Sequence, residues 1–407
     1  MRKACLLLLL VAACSKSETE PTDAGAPDAG PIPATLIDAG IFVKGVGVTN
    51  DICTPEICQH NENTDLMRWH GDIYLVHRTA VSQDLGPNSS LHIYKSSDEG
   101  TTFNQVATLL APQDRLPNEE YPDGGAVTLD GGPGVGGGRD LRDPHFFIVN
   151  DTLHFIALTR LPVLSTRDSN VDTIAMESHT TDGTHWTPLV QVGPPGWSFW
   201  RVKEENGVLY TAAYEDGDSQ VTLFSSTDGT TWTKGADVFT DSAKTPLETE
   251  LTFMPSGRLL ALVRTDGDDS QVLGDTQLET QVCWSEPPYD AFHCDAPLQD
   301  VRLDGPLSFF DNGRLFVMAR KHLGASNKKR TALYEITGNL EGGPLGIAER
   351  VVLPSAGDTS YAGGVKLASG DWLFSWYSGD LTLDEPWYLG MFDATDIWLG
   401  TMNLGTQ

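Results

Sequence analysis

Residues 96–103 read SSDEGTTF: two serines, two acids, a glycine and two threonines directly before an aromatic ring. Taken once, such an octet is an ordinary polar hairpin, because Asp and Gly favour turns for backbone reasons. It recurs as HTTDGTHW at 179–186 and as SSTDGTTW at 225–232. Aligned on the ring, Gly100, Gly183 and Gly229 coincide, whereas the acid is Asp98 in the first copy and one place later, Asp182 and Asp228, in the others. Each octet follows a short strand-like run, LHIYK, TIAME or VTLFS, and predicts a hairpin tip. The acid and hydroxyls satisfy turn amides, the glycine takes a positive φ and the ring staples the hairpin.

A second period runs alongside. GDIYLVHR (71–78), NDTLHFIALTR (150–160), NGVLYTAAYEDG (206–217), SGRLLALVRTDG (256–267), NGRLFVMAR (312–320) and SGDWLFSWYSGD (369–380) are each a tight turn followed by an alternating or apolar strand. Helical periodicity is nearly absent. The fold class expected is therefore all-β, a propeller with one blade per copy. In such a fold the innermost strands, which precede these turns, line the central channel, and their polar residues are the ones to examine.

The chain has 407 residues and a formal net charge of −29, which excludes nucleic acid as a partner because phosphate binding needs clustered Lys and Arg. MRKACLLLLLVAAC at 1–14 has a basic start, an apolar run too short to span a bilayer and small residues before Cys14. It reads as an export signal. Residues 14–40, where Asp-Ala-Gly recurs amid Pro, Ser and Thr, are expected to be a flexible linker, leaving 41–407 as the folded domain. Outside the signal the remaining cysteines fall into two local pairs, and an oxidising compartment predicts the bridges Cys53–Cys58 and Cys283–Cys294. The glycine-rich stretch 114–138 lacks the Lys-Ser/Thr ending of a phosphate loop and is assigned no role. The acidic runs EDGDSQ and TDGDDSQ lack an EF-hand frame and read as solvated turns, so neither metal nor cofactor is expected.

The octets resemble the Asp-box of sialidase-type β-propellers, where the turn joins the outer strands of a blade. HNENTDLMRWHGDIYLVHR, RDLRDPHFF, FWRVKEENGVLYTAAYEDG and DTSYAGGV extend the resemblance over nearly the whole domain, to a bacterial branch of sialidase-like propellers. VAAC similarly resembles a lipobox, which implies that Cys14 is acylated and becomes the mature N-terminus. The resemblance assigns a glutamate to the start of the fourth inner strand and an arginine to its hairpin partner, matched by Glu248 and Arg264 in ETELTFMPSGRLLALVR. Tyr361 stands nine residues before Gly370, as Glu248 stands nine before Gly257. It matches the tyrosine that sialidases use as nucleophile and that the glutamate activates.

Sialidases bind the carboxylate of sialic acid with three arginines, and here the pattern departs. The first arginine's place holds His60, Asn61, Glu62 and Asn63, and on the fifth blade only Arg320, closing the hairpin, is available. Other channel candidates are Arg142 and Asp143 of RDLRDP, Arg201 of FWRV, Asp65 of ENTDL, Glu250 beside Glu248, and His60. The RDP triplet also resembles a motif of five-bladed glycosidase propellers, which implies a transition-state role for Asp143. Asp84, where sialidases place their acid/base, aligns poorly and reads as a turn residue. The expected function is a surface-tethered, exo-acting glycoside hydrolase. It would use Tyr361, Glu248 and Asp143 for catalysis and Arg264, Arg320, Arg142, Arg201, Glu250, Asp65 and His60 to hold a terminal anionic or polyhydroxylated sugar. The alternative is a non-catalytic propeller that binds glycans or proteins. Either way the expected protein is a monomer facing the periplasm or cell exterior, touching membrane only through its lipid.

Overall fold

The computed structural model describes residues 33–46, 57–83, 89–111, 140–160, 173–215, 220–241, 243–267 and 278–405. Cys14, Cys53, Asp84, the stretch 114–138 and most of both acidic runs lie outside them. Six antiparallel sheets follow one another around a central axis. Their innermost strands are His60–Trp69, Asp140–Val149, the pair Trp197–Phe199 and Lys203–Glu205, Pro246–Phe253, Asp304–Asp311 and Thr359–Lys366. Each of the six turns picked out above joins an innermost strand to the second strand of its blade. No helix among the described residues is long and apolar enough to cross a membrane.

The three octets lie between the third and fourth strands of blades one, two and three. Their hydrogen bonds remove the register mismatch. Ser96, Thr180 and Ser226 each donate to the acid two residues on, Asp98, Asp182 and Asp228, and accept from the glycine amide at 2.9 Å. Hydroxyl and acid therefore stay in register, and the first copy carries one extra residue, Glu99, at φ 56°. The glycine also seats one blade on the one before it. A Cβ on Gly229, itself at φ 79°, would stand 2.8 Å from the Phe147 ring of blade two, and one on Gly183 would overlap Tyr74 of blade one.

The linker boundary needs correction. Thr35–Val43 is a strand that pairs antiparallel with Asp396–Asn403 as the outermost strand of blade six, so residues 35–40 belong to the domain. This closes the ring: one blade combines the N-terminal strand with three strands from the C-terminal end. Apolar clusters fill the spaces between neighbouring blades, as where Trp284 and Leu262 of blade four meet Val317 and Ala319 of blade five. Burial there supplies the non-directional drive for blade stacking.

Cys283 and Cys294 form the expected disulfide, joining directly opposite residues of two strands in blade four. Cys58 is disulfide-bonded and buried, and its expected partner Cys53 lies outside the described residues. Cys294→Ser should lower unfolding free energy by about 2–3 kcal/mol, since an 11-residue separation closes a short loop. Urea denaturation with and without reductant checks this.

Candidate active site

Most innermost strands break register near their start, where two residues oppose one on the partner strand. The breaks fall between Glu62 and Asp65, Arg142 and His145, Pro246 and Thr249, Asp304 and Leu307, and Ser360 and Gly363. In blade three the strand itself is interrupted at Trp200–Val202. Bulges of this kind re-aim a side chain and twist a strand away from regular pairing. Asn63, Asp143, Gly305 and Tyr361 take positive φ there, at 52°, 49°, 57° and 47°. Asn63, Asp143, Glu248, Gly305 and Tyr361 thus occupy corresponding places in five of the blades.

Three of the predicted residues meet. The Tyr361 hydroxyl donates to Glu248 Oε1 at 2.5 Å. Arg264 Nη1 donates to Glu248 Oε2 at 2.6 Å and to the Tyr361 oxygen at 3.3 Å. The Gly305 amide adds a third donor to Glu248, at 3.1 Å. A side chain at position 305 would strike the Tyr361 ring, so glycine is required for the tyrosine to lie where it does. Trp200 meets that ring edge-on at 5.9 Å between centroids, and the Arg320 guanidinium lies 5.1 Å from its centre. Burial, and then the charge of Glu248, push the Tyr361 phenol well above its ordinary pKa, with Arg264 and Arg320 opposing. The resting state is a neutral phenol bonded to a carboxylate that can accept its proton.

Asp143 is buried and accepts a hydrogen bond from Asn63 Nδ2. Burial pushes its carboxyl up to about 7; Arg142 opposes this, while Glu248 and Glu62 add to it. It is the carboxyl on this floor poised to exchange a proton near neutrality.

Other expected substrate contacts are engaged elsewhere. Arg201 Nη1 donates to Asp65 at 2.7 Å and its remaining nitrogens bond the carbonyls of Pro306 and Ala362, so this pair ties blades three, one, five and six together. Glu250 accepts from Lys203 Nζ at 2.6 Å and from the Ser308 amide and hydroxyl at 2.7 and 2.8 Å, apart from the Tyr361 group. Arg142 is held by Asp140 and the Gln83 carbonyl. These groups share one cause: the facing partner belongs to another blade or, for Arg142, stands two residues back on the same strand.

His60, which could equally have been a sugar contact or a tie between neighbouring blades, is the buried tie, facing Asp358 of blade six. Its Nε2 lies 3.5 Å from both Glu62 and Asp358, and its Nδ1 faces the Asp393 carbonyl at 2.9 Å. Burial alone would lower its pKa, yet Asp358 and Glu62 raise it to about 9. A raised histidine contributes stability that is complete below pH 6.5 and lost as pH rises through about 9. The wild-type melting temperature should fall across that window, by the equivalent of about 3 kcal/mol at most. In His60→Gln that part of the slope should vanish, as a pH series of thermal melts would show.

Among the described residues, two sets of side chains place three ligating atoms within 4.8 Å of one another: His60, Glu62 and Asp358, and His154, Glu177 and His179. In the first the imidazole Nε2 stands 3.5 Å from each carboxylate and Nδ1 faces the Asp393 carbonyl. In the second both Nδ1 atoms bond Glu177 Oε1, at 2.6 and 2.9 Å.

Acids and one arginine that sequence reasoning missed complete the floor. Arg264 forks onto Asp266 at 2.6 and 2.8 Å. Arg302 forks onto Asp304 at 2.8 and 3.1 Å. Arg320 donates to Asp358 at 2.9 Å, to Tyr377 Oη at 2.8 Å and to the Thr359 carbonyl at 2.8 Å. The local signal for Asp266 was the alternation Arg264-Thr-Asp266, and for Asp304 the alternation Arg302-Leu-Asp304, which puts each pair on one strand face.

Comparison with solved structures places the fold. An intramolecular trans-sialidase from Ruminococcus gnavus superposes with a TM-score of 0.60 at 12% identity, over 89% of this chain and 98% of that one. This is the sialidase propeller fold. A Trypanosoma rangeli sialidase solved with sialic acid gives a TM-score of 0.60 at 11% identity, over 90% of this chain and 60% of that one. A protein of unknown function from Dyadobacter fermentans gives 0.62 at 16% identity, over 91% and 99%. No protein-family profile matches the sequence, and no curated protein matches it. The sialidase propeller here therefore carries a floor whose chemistry has to be read from its own residues.

Proposed function

We propose that this chain is an exo-acting glycoside hydrolase that works by double displacement through Tyr361. The observation that carries the reading is the hydrogen bond of 2.5 Å from the Tyr361 phenol to Glu248, with Arg264 bonded to both groups. A phenol, with an ordinary pKa near 10, needs an adjacent base to attack at neutral pH, and Glu248 is in place as that base. In the first step the Tyr361 oxygen bonds the anomeric carbon as the exocyclic C–O bond breaks. Glu248 takes the phenol proton and Asp143 gives its own to the departing alcohol. In the second step a water replaces Tyr361, the Asp143 carboxylate takes the water's proton, and Glu248 returns a proton to the phenolate. The anomeric configuration is retained.

The VAAC signal and the linker support the further reading that the domain is tethered to a bacterial membrane by a lipid on Cys14. Release of 4-nitrophenol from a panel of aryl glycosides by the purified domain tests the activity. Retention, read by NMR of the first-formed anomer, tests the double displacement. Glycan binding with no turnover of any substrate would favour the non-catalytic alternative.

A further inference from the structure

We infer that the sugar taken by this site carries no carboxylate, because Asp304 already fills, from within the chain, the place among the arginines where an acidic sugar would put its charge. The inference rests on the hydrolase reading above and deepens it. Asp304 is the first residue of the blade-five inner strand and is buried. Around its carboxylate stand Arg302 at 2.8 Å, His322 at 3.0 Å, Arg264 at 3.4 Å and Arg320 at 4.0 Å. His322 is backed in turn by Lys329, whose Nζ is 2.5 Å from Nδ1. A bound carboxylate could ask for little more.

The guanidinium forks around it are committed as well. Arg264 spends Nε and Nη2 on Asp266 and Nη1 on Glu248 and Tyr361. Arg320 spends Nε on the Thr359 carbonyl and Nη2 on Asp358 and Tyr377, and its Nη1 faces Asp304 at 4.0 Å. Arg78 is shared between Glu62 and Asp140, and Arg142 is forked onto Asp140. A substrate carboxylate would have to displace one of these internal anions and stay beside the others, where like charges repel. A neutral ring meets no such barrier. Its hydroxyls can donate to the acids of the floor and gain charge-assisted hydrogen bonds. The substrate class assigned is a neutral, hydroxyl-rich glycoside, with Asp304 as the residue that sets the preference.

The same logic explains a phenol as nucleophile without a charged substrate. Close to Glu248 and Asp143, a second ionised group aimed at the anomeric carbon would be hard to maintain, whereas a phenol stays neutral until its proton is taken.

The test uses the full folded chain in two arms. In the first, 4-nitrophenyl hexosides are compared with the matching hexuronides, which differ only in carrying a carboxylate at C6. The neutral member of a pair should have a kcat/KM higher by at least about a hundredfold; equal turnover or preference for the hexuronide overturns the inference. In the second, glucuronate and N-acetylneuraminate are titrated by ligand-observed NMR, which needs no turnover. Wild type should show no binding up to about 10 mM, and Asp304→Asn should gain affinity for these acids by at least about tenfold. Saturable binding to wild type in the micromolar range overturns the inference. A folded Asp304→Asn protein that gains nothing removes Asp304 from its role. Should every aryl glycoside fail, the hydrolase reading falls, while the wild-type titration still decides whether the floor admits a carboxylate.

Discussion

Tyr361→Phe should abolish turnover while leaving the protein folded and able to bind its sugar. The substitution deletes one oxygen and keeps the ring that packs on Trp200 and under Arg320. Glu248 loses the phenol as a donor but keeps Arg264 and the Gly305 amide, so its charge stays bonded. The lost hydrogen bond should cost stability by roughly 0.5–1.5 kcal/mol. If the oxygen attacks, kcat falls by at least about a hundredfold with little change in ligand affinity. Glu248→Gln should cost a comparable factor by removing the base, and the double variant should be barely worse than either single one, because the two act as a unit. Steady-state kinetics on the best substrate of the panel, alongside NMR titration of its product sugar, reads all of these. Near wild-type turnover in Tyr361→Phe would move the chemistry to the carboxyls Glu248 and Asp143.

Asp143→Asn should show the second large effect, and its signature is a dependence on the leaving group. As the proton donor, Asp143 must be protonated, so wild-type kcat/KM should fall as pH rises through about 7, the value to which burial brings it. The asparagine variant should lose this limb. On glycosides with poor leaving groups it should lose roughly a factor of 10²–10⁴, and on activated nitrophenyl glycosides much less. A carboxyl raised from 3.8 to about 7 in the folded state favours folding only while it stays protonated, so its contribution is lost as pH rises through that range. Asp143→Asn should therefore gain melting temperature over wild type at pH 8 and show no such gain at pH 4.

What sequence alone could reach depended on whether the partner was local. Tyr361 and Glu248 were found by counting back from a turn, because blades four and six share one spacing from bulge to turn and the bulge falls near the start of each inner strand. The octet turns were legible because their bonds span only two to four residues. The role of Asp304 was not, since Arg264 reaches it from the neighbouring blade and Arg320 and His322 from the facing strand of its own. Asp65 and Arg201 looked like two free channel groups until 136 residues of separation closed into one ion pair. The N-terminal strand was missed for a different reason. TLIDAGIFV continues the Asp-Ala-Gly composition of the linker, most of its residues are half-exposed or exposed, and only pairing with the far end of the chain makes it a strand.

The most direct test of Tyr361 as nucleophile is to trap it. A 2-deoxy-2-fluoro glycosyl fluoride of whichever sugar the panel identifies slows the second displacement, and the intact protein is then weighed and its peptides sequenced by mass spectrometry. A single glycosyl adduct on the phenolic oxygen of Tyr361, absent in Tyr361→Phe, is the predicted result; an adduct on Glu248 or Asp143 would contradict it.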